Sequence, residues 1–187
     1  MESIISVMPN RRNFLKGKYT LKIGYPWLTY GAIIELEEIL KPTFKVLEFG
    51  SGGSTVFFSR RCETVKTVDT NPLWTERVKS VLPNPSNVEL ICASFDNTLE
   101  IAKSEPEEYY DLILVDSDPD PSYRNRLLLM QVCTSKIKMG GYLVIDNYDH
   151  RALKKFDYSP FRVYTYDGIR HSGRGTRICV RRMVAVA

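Results

Sequence analysis

The sequence is short of several things. No stretch approaches the about 20 consecutive apolar residues that cross a bilayer, and the first 18 residues, MESIISVMPNRRNFLKGK, hold no apolar run of signal-peptide length. A membrane-spanning chain is therefore not expected, and a cytoplasmic location is. The four cysteines, Cys62, Cys92, Cys133 and Cys179, are widely separated, with no C-x-x-C and no Cys/His cluster. That pattern excludes a zinc ribbon or a disulfide framework and leaves free, buried thiols. No internal repeat, low-complexity tract or linker interrupts the chain.

Also missing is a chain-wide surplus of one charge. The 187 residues contain 26 Lys+Arg and 22 Asp+Glu, a formal net of +4. Position matters more than the total. Arg162, Arg170, Arg174, Arg177, Arg181 and Arg182, opposed only by Asp167, give the last 26 residues a net of +5, so the preceding 161 carry −1. A basic surface of the kind that coats nucleic acid is excluded, and a local basic feature remains. With 43% hydrophobic and 26% charged residues the composition is that of an ordinary globular protein. The length fits a polar N-terminal arm over 1–24 and one domain over 25–187.

Apolar periodicity over Thr29–Leu40 predicts an amphipathic helix ended by Lys41-Pro42. Four short apolar runs follow at Lys45–Phe49, Thr64–Val68, Val88–Cys92 and Leu112–Val115. They lack in-out alternation, as strands covered on both faces do. Helix-forming segments at Ser54–Arg61, Pro72–Val81 and Asn97–Ser104 separate them, and this alternation predicts an α/β fold with a parallel sheet. Leu127–Lys138 reads as a further helix capped by Gly140-Gly141, and Tyr142–Ile145 as a fifth strand. Arg162–Tyr166 and Thr176–Arg182, joined by the Gly-rich 167–175, read as a hairpin at the sheet edge.

The chemistry-bearing feature is Val46-Leu47-Glu48-Phe49-Gly50-Ser51-Gly52-Gly53-Ser54-Thr55, a glycine-rich turn between a strand and a helix. Glycines there permit positive φ and let a ligand approach the backbone, and the helix start offers unpaired N–H groups. Asp69 ends the next strand, 19 residues beyond Gly50, where a doubly wound fold presents a carboxylate to ribose hydroxyls. An alternative for Asp69 is to cap the helix after Pro72, and for Ser94 or Asp96 to cap the helix that follows them. The dinucleotide fingerprint G-x-G-x-x-G needs glycine at position 55, which is Thr55, so NAD is disfavoured.

On these residues the chain resembles the class I S-adenosylmethionine-dependent methyltransferases. Glu48-Phe49-Gly50-Ser51-Gly52 fits their acidic-G-x-G first motif and Asp69 their acidic second motif. Cys92-Ala93-Ser94-Phe95-Asp96 falls where the family contacts adenine. Tyr110–Asp116 and Lys138–Ile145 resemble the fourth- and fifth-strand signatures. The resemblance covers roughly 27–182. It implies a Rossmann-like doubly wound sheet of order 3-2-1-4-5-7-6 with strand 7 antiparallel and helices on both faces. It also implies a cofactor site built from Thr29, Glu48, Gly50, Ser51, Gly52, Ser54, Asp69, Thr70, Ser94, Phe95 and Asp116.

Within that family the pattern is closest to small-molecule and sugar O-methyltransferases of the catechol type. Asp116, Asp146 and Asn147 match the positions at which those enzymes hold magnesium, which implies Mg2+ or another divalent cation and a hydroxyl acceptor. Asp146-Asn147 is alternatively an Asx-turn. Asp116 and His150, four residues after Asp146, are the candidate catalytic groups. Trp27, in the aromatic run Tyr25–Tyr30, and Arg170, His171 and Arg174 in the hairpin turn are the candidate substrate contacts, the arginines favouring an acceptor with phosphate or carboxylate. Ser117–Pro121 lacks the D/N-P-P-aromatic signature of nucleobase amine methylation, so a small-molecule or glycan acceptor is expected rather than nucleic acid. The other class of reading is a non-catalytic protein that binds the cofactor and recognises a partner.

Overall fold

The computed structural model describes residues 17–83, 85–117, 122–168 and 175–183. Seven strands form one sheet: β1 (Lys45–Phe49), β2 (Thr64–Asp69), β3 (Val88–Cys92), β4 (Tyr110–Val115), β5 (Ile137–Asp146), β6 (Phe161–Tyr166) and β7 (Thr176–Arg181). Their spatial order is β3-β2-β1-β4-β5-β7-β6. Strands β1 to β5 run parallel, and β7 enters antiparallel between β5 and β6. The α/β class, the strand order and the antiparallel seventh strand are as the sequence implies.

Among the described residues six α-helices accompany the sheet: α1 (Gly17–Ile23), α2 (Tyr30–Ile39), α3 (Gly53–Ser59), α4 (Pro72–Lys79), α5 (Phe95–Ser104) and α6 (Arg124–Cys133). The uninterrupted apolar runs of the central strands are explained by burial on both faces. Leu47, Phe49, Ile113, Val115, Leu143 and Ile145 point towards Ala102 of α5 and Leu129, Met130 and Cys133 of α6. Their neighbours Val46, Leu112, Leu114 and Val144 point the other way, towards Ala32, Ile33 and Leu36 of α2 and Phe57 and Phe58 of α3. Each fully buried side chain of this size contributes roughly 1.5–3 kcal/mol of hydrophobic free energy. This double layer is what holds the strand tips rigidly in place.

Three expectations need correction. The arm over 1–24 includes α1, whose Leu21 is buried with Val56 of α3 and Val78 of α4, so packed structure starts before residue 25. The helix expected over Leu127–Lys138 lies three residues earlier at its start and ends at Cys133. The reason is Ile137, which pairs with Tyr110 and begins β5, so that Gly140-Gly141 falls inside the strand and caps no helix. There the register between β4 and β5 shifts, Gly140 takes φ +77, and the Lys138 ammonium meets the Asp111 carboxylate at 2.8 Å. Finally, Cys62, Cys133 and Cys179 are buried as expected, but Cys92 is exposed. Burial pushes the Cys62 and Cys179 thiols up to about 12, which keeps them protonated and unreactive.

Candidate cofactor and acceptor site

The carboxyl ends of β1 to β5 form one rim, and the glycine turn crosses it at the point where the strand order reverses, between β1 and its two neighbours β2 and β4. Gly50 has φ +97, and a Cβ there would lie 2.6 Å from the Asp116 carbonyl oxygen at the tip of β4. Only glycine lets the turn and that tip approach so closely. Gly53, the first residue of α3, is pressed from the other side by the carbonyls of Thr20, 2.6 Å from where a Cβ would sit, and Tyr25. The turn is therefore clamped between the rim and the segment that leaves α1.

Asp69 closes the turn from β2. Its Oδ2 accepts from the Ser51 N–H at 2.7 Å and the Ser51 hydroxyl at 2.6 Å, and its Oδ1 accepts from the Asn71 N–H at 2.8 Å. Asn71, rather than Asp69, caps α4, taking the Trp74 N–H on its side chain. The Trp74 indole N–H donates to the Ser51 carbonyl at 2.7 Å, a second tether that the sequence reading missed. Thr70 follows Asp69, half-buried. Ser94 is the N-cap of α5, its hydroxyl accepting from Asn97 N–H, and Phe95 leans onto the core layer below α5. Ser54 is buried in the first turn of α3.

Glu48 lies under the turn with no exposed surface. Its Oε2 accepts from the Thr55 hydroxyl at 2.6 Å, and that same Thr55 oxygen accepts from the Gly52 N–H at 2.9 Å. Glu48 thus braces the turn through Thr55, which is why threonine rather than a third fingerprint glycine stands there. Burial pushes its carboxyl up to about 7, against the opposing pull of the surrounding Ser54, Thr55 and Thr67 hydroxyls. Oε1 and the Thr67 hydroxyl make no hydrogen bond of ordinary geometry among the described residues.

Beside the turn, Asp116 is a quarter exposed and its Oδ1 pairs with the Arg126 guanidinium at 3.0 Å. Asp146 is buried. Its Oδ1 accepts from the Thr176 hydroxyl at 3.3 Å and its Oδ2 from the Asn147 amide at 2.8 Å. Thr176 Oγ1 accepts in turn from the Thr29 N–H at 3.1 Å, tying the start of α2 to β7. Thr29 Oγ1 is buried without a hydrogen-bond partner among the described residues. Trp27, two residues before, stays more than a third exposed at 36%.

His150 stacks on Tyr123, ring centroids 4.1 Å apart. Its Nδ1 accepts from the Ala152 N–H at 3.3 Å, which fixes the ring on the rim beside β5. Arg170, His171 and Arg174 lie outside the described residues.

The donor sets can be tested against the implied groups. For S-adenosylmethionine they fit. The Asp69 carboxylate closes the glycine turn and already receives a hydroxyl, the chemistry a ribose presents. For a divalent metal they do not. Asp116 is engaged by a cation, both Asp146 oxygens receive hydrogen bonds, and Asn147 directs its amide N–H2, not its oxygen, at Asp146. Among the described residues no three His, Cys, Asp or Glu side chains converge on a metal position. A cavity of about 450 Å³ lined by Lys66, Asn87, Glu89, Glu105 and Tyr109 opens at the far, amino ends of β2 to β4, away from this rim.

The sheet order and the glycine turn beside two acidic strand tips define a Rossmann-like methyltransferase. A family model described as a methyltransferase domain matches residues 47–148, and the chain belongs to that family. Solved structures agree on the fold. A candidate O-methyltransferase from Klebsiella pneumoniae has TM-score 0.68 at 14% identity, with 96% of this chain and 94% of that one covered. An rRNA methylase from Streptococcus thermophilus has TM-score 0.61 at 15% identity, covering 82% and 96%. A candidate methyltransferase from Streptococcus mutans, solved with S-adenosylhomocysteine (SAH), has TM-score 0.60 at 19% identity, covering 80% and 97%. No curated protein sequence matches significantly. No helix among the described residues is long and apolar enough to cross a membrane.

Proposed function

We propose that this methyltransferase transfers a methyl group from S-adenosylmethionine to a hydroxyl oxygen of a small molecule or glycan. The observation that carries the reading is the contact between the glycine turn and the tip of β4, which sets the partly exposed Asp116 carboxylate next to the cofactor loop. Asp69 would receive the ribose hydroxyls. Gly50, Ser51, Gly52 and Ser54 would line the cofactor's path, with Thr70, Ser94 and Phe95 on its adenine side and Thr29 and Trp27 on its methionine side. When bound, the cofactor supplies an electrophilic methyl group on a sulfonium.

In-line displacement at that carbon needs alignment above all. Asp116, held in place by its ion pair, orients the acceptor hydroxyl by accepting its hydrogen bond and takes up the hydroxyl proton as the methyl group is transferred, leaving the methyl ether and S-adenosylhomocysteine. His150 contacts the acceptor from the same rim. Arg170, His171 and Arg174 remain proposed contacts for an anionic substituent. A divalent cation has no part in this reading, because the residues first assigned to it are otherwise engaged.

Calorimetry with SAH and mass spectrometry of acceptor panels incubated with S-adenosylmethionine test it. Binding of SAH and an added CH2 on a hydroxyl are expected. Absence of SAH binding sinks the cofactor site, methylation at nitrogen or on ribosomal RNA sinks the acceptor, and binding without any turnover favours the non-catalytic reading.

A further inference from the structure

Arg126 touches neither the cofactor nor the acceptor in the functional reading, yet among the described residues it is the most heavily engaged cation on the rim. It enters from the first turn of α6 and is 5% exposed. Its Nε donates to the Ser117 carbonyl at 2.6 Å, Nη1 to the Asp146 carbonyl at 3.0 Å and Nη2 to the Asp116 carbonyl at 3.3 Å. Nη2 also pairs with Asp116 Oδ1 at 3.0 Å, and the guanidinium carbon lies 4.9 Å from the Tyr123 ring centroid. One planar cation is therefore enclosed by four oxygens drawn from the ends of both β4 and β5.

Three carbonyls and a carboxylate make a hard, oxygen-only donor set of the kind that otherwise attracts a small divalent ion. The planar fork of a guanidinium satisfies several of them at fixed angles, which a lysine ammonium on its flexible stem cannot do. We propose that Arg126 is a built-in cation that takes the place of a divalent ion at the tips of β4 and β5. It acts as a positioning residue, holding Asp116 beside the glycine turn, so that methyl transfer by this protein is independent of metal. The consequence for catalysis rests on the methyltransferase reading above. The occupancy of the oxygen cage does not.

The test uses the full chain and Mn2+ as probe, followed by the loss of the free-ion electron paramagnetic resonance signal, with SAH calorimetry in parallel. Wild type is expected to bind Mn2+ no tighter than ~1 mM, the weak end of protein sites for hard cations, and to bind SAH equally with or without EDTA. Arg126→Ala vacates the cage and is expected to gain Mn2+ affinity at least tenfold, a gain abolished by adding Asp116→Asn. Arg126→Lys, which keeps the charge, should gain none.

Tight Mn2+ binding by wild type that Asp116→Asn removes overturns the proposal, as does a folded Arg126→Ala that takes no Mn2+. Should Arg126→Ala not fold, Arg126→Gln keeps a donor for the carbonyls, removes the charge and carries the same comparison. Failure of SAH to bind, with the Mn2+ results as expected, strikes the functional reading and leaves the resident cation standing.

Discussion

Asp69 and Ser51 are joined by two hydrogen bonds to one carboxylate oxygen, so the carboxylate both shapes the turn and offers itself to hydroxyl donors. Hydrogen bonds to a charged group contribute roughly 1.5–3 kcal/mol each, so Asp69→Ala should weaken SAH binding at least about tenfold in calorimetry. Glu48 predicts a pH effect. Its folded pKa of about 7 exceeds the unfolded value near 4.5, so the folded state holds a proton that the unfolded state has released. Stability is full below about 4.5 and falls as pH rises through about 7. Glu48→Gln, which stays neutral, should therefore melt progressively higher than wild type as pH rises across that window. A constant difference in thermal melts would contradict it. Arg126→Ala removes one member of a largely buried pair and three carbonyl bonds, and should cost roughly 3 kcal/mol of stability in denaturant titrations.

The residues of the glycine turn and Asp69 were legible because their types and spacing are dictated by backbone chemistry that any strand-turn-helix unit must satisfy. Arg126, Trp74 and Tyr123 were not. Each acts from a helix or its cap through contacts far along the chain, and local pattern carries no such information. A signal did exist for Arg126: an arginine ten residues past Asp116, directly ahead of Leu127-Leu128-Leu129-Met130, was a charge entering an apolar helix face without a partner in sequence. The metal trio was read from residue type and position, which suit an ion; the direction of the Asn147 amide, turned to Asp146, is not written in the sequence.

At the scale of elements, every strand but the start of β5, which lies five residues before the expected Tyr142, was predicted within two residues, because a short apolar run between turn signals has few other ways to be satisfied. The boundary between α6 and β5 failed because Gly140-Gly141 suits a helix end equally well. It was decided by Tyr110 pairing with Ile137, a long-range choice. The start of α3 is set by tighter constraints. Gly53→Ala would drive a Cβ into the backbone carbonyls of Thr20 and Tyr25, neither of which can yield as a flexible side chain would. A loss of roughly 2–3 kcal/mol is expected in thermal or denaturant unfolding, comparable to overpacking a core. Gly52→Ala meets only the Trp74 ring at 3.8 Å and should be far milder.

For the whole molecule, the clamp at Gly53 means that the glycine turn and the end of α1 are one mechanical unit. The amides of Gly24 and Tyr25 both donate to the Thr20 carbonyl, at 2.9 and 3.1 Å, and that carbonyl also rests on Gly53. A ligand that stiffens the turn is therefore expected to stiffen the Thr20–Tyr25 segment packed on Gly53 as well. Deuterium uptake at Gly24 and Tyr25 should slow when SAH is added, by a factor that follows ligand occupancy. Gly24, the last residue of the stretch that composition marked as a polar arm, and Tyr25 after it would then report from beneath the surface whether the crevice is filled.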